Sequence, residues 1–438
     1  MNDTAALKRV MRLPISIGLL LFLVVTLIYL APLPGTAVKT LSPAAFDLRA
    51  KYMLDPASWQ TLSLYPRATL GALIKLISYI MIFLVIVSKM IRDEKRVSPR
   101  HYEAQYDLIL LGALIGILSI LLHSMCDFNL HIPANALYFT VIMAIAAGLS
   151  AARGRNSLNY PFIEKLVNSI ILTGFGIAVF GIIQKLGWNG KIYWLITKPG
   201  GNFGPYINYD HYAGYMEMCT FLAIAGFMTR ISHSSFPHIK RLKDRIVWFS
   251  TQEANKTLIY LFFAVVMTSA LFLSSSRGGI MSFCAGLAVF YFVCLISAER
   301  KKRNRMLLAS ALVLIFITIM ILWVGPEETV DRFRALNRVI RFFVTEKAIL
   351  SELRPYMWRD TMKLIKDFPG FGTGTGVFSS VFPKYRAFPA SFGFLRYAHN
   401  DYLQLIAEMG IAGWTVIVVF LGWYFRRFSE CLRRLRES

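Results

Sequence analysis

Residues 257–297 read TLIYLFFAVVMTSALFLSSSRGGIMSFCAGLAVFYFVCLIS, and Arg277 is the one charged residue among them. Two apolar runs, 257–276 and 278–297, flank a small polar turn at Ser274–Gly279. A run of about 20 apolar residues matches a hydrocarbon core of roughly 30 Å at a helical rise of about 1.5 Å per residue. In lipid every backbone N–H and C=O must find its partner within the element, so a run of this length is a helix. The stretch therefore reads as a helical hairpin crossing a membrane twice.

The same pattern recurs outward in both directions. Ten spans are expected, at 14–33, 70–91, 107–125, 134–151, 163–184, 210–229, 257–276, 278–297, 306–325 and 401–424. The 438-residue chain is 56% hydrophobic with a mean hydropathy of +0.51, above the roughly 45–50% apolar content of soluble domains. The short alternating segments of a membrane barrel are absent from the sequence. The fold class is all-α, a polytopic helical membrane protein. Its organisation is a transmembrane bundle over 1–325, a long, partly helical loop over 326–400, and a last span with a basic tail over 401–438.

The net charge of +23 suits membrane lipids as partners, not nucleic acid, because Lys and Arg collect in cytoplasmic loops near anionic headgroups. Each even-numbered span exits into basic residues, from Arg92, Lys95 and Arg96 after the second to Arg426, Arg427 and Arg433 after the tenth. Both termini are thus expected inside, with 34–69, 126–133, 185–209 and 326–400 outside. The first span is longer than a signal-peptide core and reads as a retained anchor. Of five cysteines only Cys126 falls near the outer face, and no CxxC spacing occurs, so neither a disulfide framework nor a thiolate metal site is expected.

Polar residues of unusual kind gather on the outer side. Arg277 sits in Ser-Ser-Ser-Arg-Gly-Gly, where a guanidinium either snorkels to the interface or meets an anion. The two glycines would let a ligand approach the backbone. Ala398-His-Asn-Asp-Tyr-Leu-Gln404 opens the last span; His399 is a candidate base or donor, with Asn400 or Asp401 as N-cap, and a plain capping cluster is the simpler alternative. Arg354 and Trp358 are one helical turn apart, with Arg359 adjacent, a set that suits either sugar-phosphate recognition or a cation–π pair. Lys384 and Arg386 add positive charge to the same loop, and Asn208 and His211 crowd the start of the sixth span. Glu217 lies two turns inside that span, and Glu408 reads as packing against Gly410 and Gly413. Two amphipathic helices are expected at 327–350 and 353–367, closed by the glycine-rich turn Pro369–Gly376. No outer-face Asp-x-Asp appears, so arginines would carry the charge of a diphosphate in place of a metal.

In order along the chain stand Ser-Arg-Gly-Gly in a helical hairpin, Arg-x-x-x-Trp, Phe-Pro-Gly-Phe-Gly-Thr-Gly-x-Gly-x-Phe, and His-Asn-Asp-Tyr-Leu-Gln-x-x-x-Glu-x-Gly. This set resembles the O-antigen ligase/polymerase superfamily. Phe203–Met218 and residues 60–90, beginning Gln60-Thr-Leu-Ser-Leu-Tyr-Pro66, are similar to further parts of that family. Two features depart from it. His123-Ser-Met-Cys-Asp-Phe-Asn-Leu-His-Ile-Pro-Ala-Asn135 joins the third and fourth spans, whereas many relatives carry such a phrase after the His-Asn-Asp motif. Tyr209-Asp210 stands where an Arg-Asn pair is usual.

The resemblance implies a GT-C-like helical fold in a bacterial inner membrane, with the long loop and active site periplasmic. It implies a glycosyltransferase that uses no metal or cofactor and takes a glycan from undecaprenyl diphosphate. The acceptor would be a hydroxyl of lipid A core in a ligase, or of a second lipid-linked glycan in a polymerase. Arg277 and Arg354 would bind the diphosphate and His399 would activate the acceptor. Arg359, Trp358, Asn208, His211, Asn400, Asp401, Lys384 and Arg386 would contact substrate, and inversion at the anomeric carbon is expected because no paired carboxylates of the retaining kind are evident. The rival is a flippase that moves the lipid-linked glycan without bond chemistry; the internal repeats common in transporters are not visible.

Overall fold

The computed structural model describes residues 13–51, 55, 58–91, 99–151, 158–197, 202–233, 241–297, 353–389 and 393–437. Its helices are α1 (Pro14–Leu30), α2 (Gly35–Leu41), α3 (Pro43–Ala50), α4 (Pro66–Met90), α5 (Pro99–His123), α6 (Pro133–Ala151) and α7 (Tyr160–Leu186). A two-stranded hairpin, β1 (Lys191–Ile192) and β2 (Ile196–Thr197), follows in antiparallel register. Then come α8 (Tyr209–His233), α9 (Leu242–Trp248), α10 (Gln252–Leu273), α11 (Arg277–Ser297), α12 (Arg354–Asp367), α13 (Phe378–Val381), α14 (Asp401–Met409) and α15 (Ile411–Glu437). Many starts are written locally. Proline, which has no N–H to leave unpaired, opens α1, α3, α4, α5 and α6. Asn159 and Thr251 cap α7 and α10 by accepting from Phe162 N and Ala254 N.

Among the described residues seven helices are long and apolar enough to cross a membrane: α4, α5 from Tyr106, α6, α7, α10, α11 and α15. α1 is a shorter apolar helix. α8 is long enough, but Asp210, Glu217 and several tyrosines lower its hydropathy; residues 210–229 along it are buried. A helix enclosed by protein can hold polar groups that lipid would penalise. The expected ninth span, 306–325, and the amphipathic helix at 327–350 lie outside the described residues. The second amphipathic helix forms as α12.

The chain divides into two compact units. The first draws on Met1–Leu84, Ser124–His131 and Ala335–Tyr424; the second on Val85–His123, Ile132–Arg334 and Phe425–Ser438. In the second, α8 is the central helix. Gly112 and Gly116 of α5 let the two backbones meet, since a Cβ at Gly112 would lie 2.5 Å from that of Ala225. Such small-residue seams are how helices pack without a hydrophobic driving force.

The first unit is organised around the glycine-rich turn. Thr373 N and Gly374 N donate to the carbonyls of Ala407 and Glu408 at 3.1 and 2.9 Å, and Leu64 N donates to Thr373 O at 3.0 Å. Phe368, Phe378, Phe382 and Phe388 form the apolar core beside the turn. The Tyr29 hydroxyl donates to Met409 O at 3.1 Å. The stretches 60–66, 369–376 and 401–410, far apart in sequence, are thereby one hydrogen-bonded assembly.

One boundary differs from expectation. The span expected at 401–424 is broken at Gly410 into α14 and α15. Gly410 has φ 58° and ψ −137°, a region open essentially to glycine alone, and a Cβ there would run into the Gly370 carbonyl. The following amide, Ile411 N, donates to Pro369 O and Gly370 O, both at 3.0 Å. Gly410→Ala is expected to destabilise the protein by about 1–3 kcal/mol from backbone strain alone, read as a lowered melting temperature in detergent.

Candidate active site

His399 is the focus of the first unit. Asn400, extended at φ −165°, caps α14: its side-chain oxygen accepts from Leu403 N at 3.0 Å. That places His399 just outside the helix at φ 50°, a conformation uncommon for a residue with a Cβ and one that clusters at functional sites. Its Nδ1 lies 3.0 Å from Asp127 Oδ1. Asp127 is buried, while the His399 side chain is 26% exposed. An ionised carboxylate only accepts, so in the neutral ring Nδ1 carries the proton and Nε2 the lone pair. A buried carboxylate on one ring nitrogen fixes the tautomer, orients the ring and stabilises the imidazolium formed on proton uptake.

The rest of the setting holds the ring in place. Phe128 meets it edge-on at 4.6 Å between centroids and stacks on Tyr397 at 4.3 Å. The Trp358 indole N–H donates to the His399 carbonyl at 3.2 Å. Ser124–His131 is stitched along the same motif by Asp401 N to Ser124 O at 2.9 Å, Asn400 Nδ2 to Met125 O at 2.8 Å and Leu130 N to Asp401 Oδ2 at 2.9 Å. The other Asp401 oxygen accepts from His131 Nδ1. Asn400 and Asp401, expected to touch substrate, spend these polar groups on the framework.

Burial pulls the His131 imidazole down, but the hydrogen bond and charge of Asp401, with the charge of Glu408, raise it above the ordinary histidine range; Lys75 opposes them. A raised value in the folded state stabilises fully below the unfolded pKa of about 6.5 and is lost as pH climbs through the folded one. The melting temperature of wild type should therefore exceed that of His131→Gln most in acid, and the gap should close as pH rises. A gap independent of pH would contradict this.

The arginines of the first unit differ in use. Arg354 opens α12 and is half-buried, and Arg359 on the same helix is 54% exposed, 5.5 Å from the Tyr356 ring centre. Arg386 donates to the carbonyls of Phe388, Gly393 and Pro389 and lies over the Phe388 ring, so its guanidinium closes its own loop. Lys384 is exposed beside Tyr385.

The second unit holds Arg277, Asn208 and His211. Ser276 caps α11: its hydroxyl accepts from Gly279 N at 3.1 Å and donates to Asp210 Oδ1 at 2.6 Å. Arg277, half-buried, is the first residue of the helix. The two glycines after it serve packing, contrary to the expectation that they admit a ligand. A Cβ on Gly278 would lie 2.7 Å from His123 Cδ2, and one on Gly279 would run into the Ala213 Cβ. Glu217, fully buried, accepts from Ser119 Oγ at 2.7 Å and pairs with His123 Nδ1 at 2.8 Å. Asn208 Oδ1 accepts from Asp210 N at 2.8 Å, and His211 O accepts from Asn135 Nδ2 at 2.9 Å. Asn208 and His211 thus shape the start of α8.

Tyr397 was not singled out from sequence, and Asp127, Phe128 and His131 were noted there only as part of the His123–Asn135 phrase, with no role of their own. The available signal was an acid and two histidines, His123, Asp127 and His131, within one otherwise apolar phrase between two spans.

Residues 262–427 match the family model described as O-Antigen ligase. That segment contains Arg277, Arg354, Trp358 and His399, whereas Asp127 and Glu217 lie before it. No curated protein and no solved structure matches the chain.

Proposed function

We propose, from that family match and the His399–Asp127 pair, that this multi-pass membrane protein is a glycosyltransferase of the ligase or polymerase kind. It moves a glycan from undecaprenyl diphosphate to a hydroxyl of lipid A core or of a second lipid-linked glycan, at the periplasmic face of a bacterial inner membrane. The observation that carries this reading is the imidazole tethered through Nδ1 to a buried carboxylate, with Nε2 left to accept a proton.

In the proposed step, His399 Nε2 takes the proton of the acceptor hydroxyl as its oxygen bonds to the anomeric carbon. The bond from that carbon to the diphosphate breaks, and its electron pair leaves with the diphosphate. Arg277 and Arg354 are assigned to the charge that grows there, a task suited to forked guanidinium donors. Arg277 at the first position of α11 adds the positive end of a helix dipole to its own charge. Arginines are given this charge because the sequence offers no outer-face Asp-x-Asp. A single displacement of this kind inverts the anomeric carbon. A flippase would have no use for an oriented general base, so the transport reading is not favoured.

Arg277→Ala should lower release of undecaprenyl diphosphate in proteoliposomes by about 10²-fold or more, with an unchanged melting temperature. Equal activity in the variant and wild type would sink the assignment of Arg277 to the diphosphate.

A further inference from the structure

The second unit holds a cavity of about 370 Å³ between the end of α7, the segment 202–209 and the end of α10. That volume falls in the roughly 300–1,000 Å³ range of small-molecule sites. Its lining includes Trp188, Asn202, Lys185, Gln184, Tyr209 and Ser275. Ser275 is followed two residues later by Arg277, so the cavity lies at the end of the bundle where α11 begins.

The chemistry of this lining is that of carbohydrate recognition. A sugar ring offers an apolar C–H face and a rim of hydroxyls. It is met by an aromatic plane together with a few fixed amides and hydroxyls. Trp188 is 45% exposed and supplies the plane. The Asn202 side-chain nitrogen is buried and has no hydrogen-bond partner among the described residues, a state that costs free energy unless a ligand or water completes it. The Gln184 amide is already committed: with its nitrogen toward Gly204 O at 2.6 Å and its oxygen toward Tyr193 N at 2.5 Å, it props the wall. Tyr193 OH donates to Pro205 O at 3.0 Å and Trp194 Nε1 to Gly187 O at 2.7 Å, fixing the rim on which Trp188 sits. Lys185 gives the site a cation.

We propose that this cavity is a glycan subsite, which takes sugar residues of the lipid-linked substrate on Trp188 and Asn202. The proposal rests on the glycosyltransferase reading and names where that substrate's sugars bind. A tryptophan at a helix end also serves as an interfacial anchor in membranes, but an anchor alone has no bearing on a free oligosaccharide.

The test uses the full-length protein in nanodiscs and two readouts. The first is saturation-transfer NMR with the oligosaccharide released by mild acid from the host's undecaprenyl-diphosphate glycan. The second is KM and kcat for the intact lipid-linked glycan. Trp188→Ala and Asn202→Ala should each weaken oligosaccharide binding and raise KM by about tenfold with little change in kcat, the signature of lost uniform binding. Trp188→Phe, which keeps an aromatic plane, should recover most of the affinity and show that the fold is intact. Equal oligosaccharide affinity in wild type, Trp188→Ala and Asn202→Ala would overturn the subsite, as would failure of the oligosaccharide to bind wild type at all. Binding that depends on Trp188, in a wild-type protein that releases no undecaprenyl diphosphate, would instead keep the subsite and remove the transferase reading.

Discussion

Transfer by His399→Ala is expected to fall by about 10²–10⁴-fold, the usual contribution of one general base. The more telling variant is Asp127→Asn. Asparagine keeps the volume of the buried side chain, yet its amide can donate to Nδ1, which would move the ring proton to Nε2 and block proton uptake from an acceptor. The loss should approach that of His399→Ala. The double variant should be no worse than either single one, because residues that act as one unit lose their function once. Wild-type turnover in Asp127→Asn would reduce the 3.0 Å contact to packing.

The largest effect on stability is expected at Glu408. This acid, 3% exposed, accepts from Gly376 N at 2.7 Å, Phe378 N at 3.2 Å and Gln404 Nε2 at 3.2 Å. It thereby joins α14 to the end of the glycine-rich turn. Glu408→Ala leaves two backbone donors and an amide buried without an acceptor, at about 1–3 kcal/mol each. A loss of about 3–5 kcal/mol is expected, seen as a sharply lowered melting temperature and poor yield of folded protein. Glu408→Gln keeps one acceptor oxygen and should fall between. A Glu408→Ala protein that melts like wild type and loses only turnover would place this acid in the chemistry.

What could be read from the residues was mainly what is local. Apolar runs of membrane length gave the helices, and a turn of small residues gave the break before Arg277. His-Asn-Asp read as a helix cap with a candidate base, and in the structure Asn400 is that cap. Glu408, read as packing, is an acceptor for a neighbouring turn. The four ordered motifs of the resemblance fall within residues 262–427, where the O-Antigen ligase match lies.

The rest depends on distances the sequence does not encode. Asp127 is 272 positions from His399, and its phrase stands far before the motif that it serves. The eight residues Ser124–His131 belong to the first unit although the helices on either side belong to the second. Nothing in periodicity shows such a detour. Gly278 and Gly279 posed the reverse problem: glycines beside an arginine suggest room for a ligand, and only the positions of His123 and Ala213 show that the room is already filled. Gly410 was legible as a small residue inside an apolar run, but the break there arises from Pro369 and Gly370 competing for the next amide.

The most direct test follows release of undecaprenyl diphosphate from the purified protein reconstituted with its host's own lipid-linked glycan. Lipid A core and a second lipid-linked glycan are added in turn as acceptors, with His399→Ala run alongside. Release that needs both an acceptor and His399 is the predicted result, and the acceptor that works separates ligase from polymerase. A lipid-linked glycan that binds and stays intact with every acceptor would contradict glycosyl transfer and leave movement of the lipid as the function.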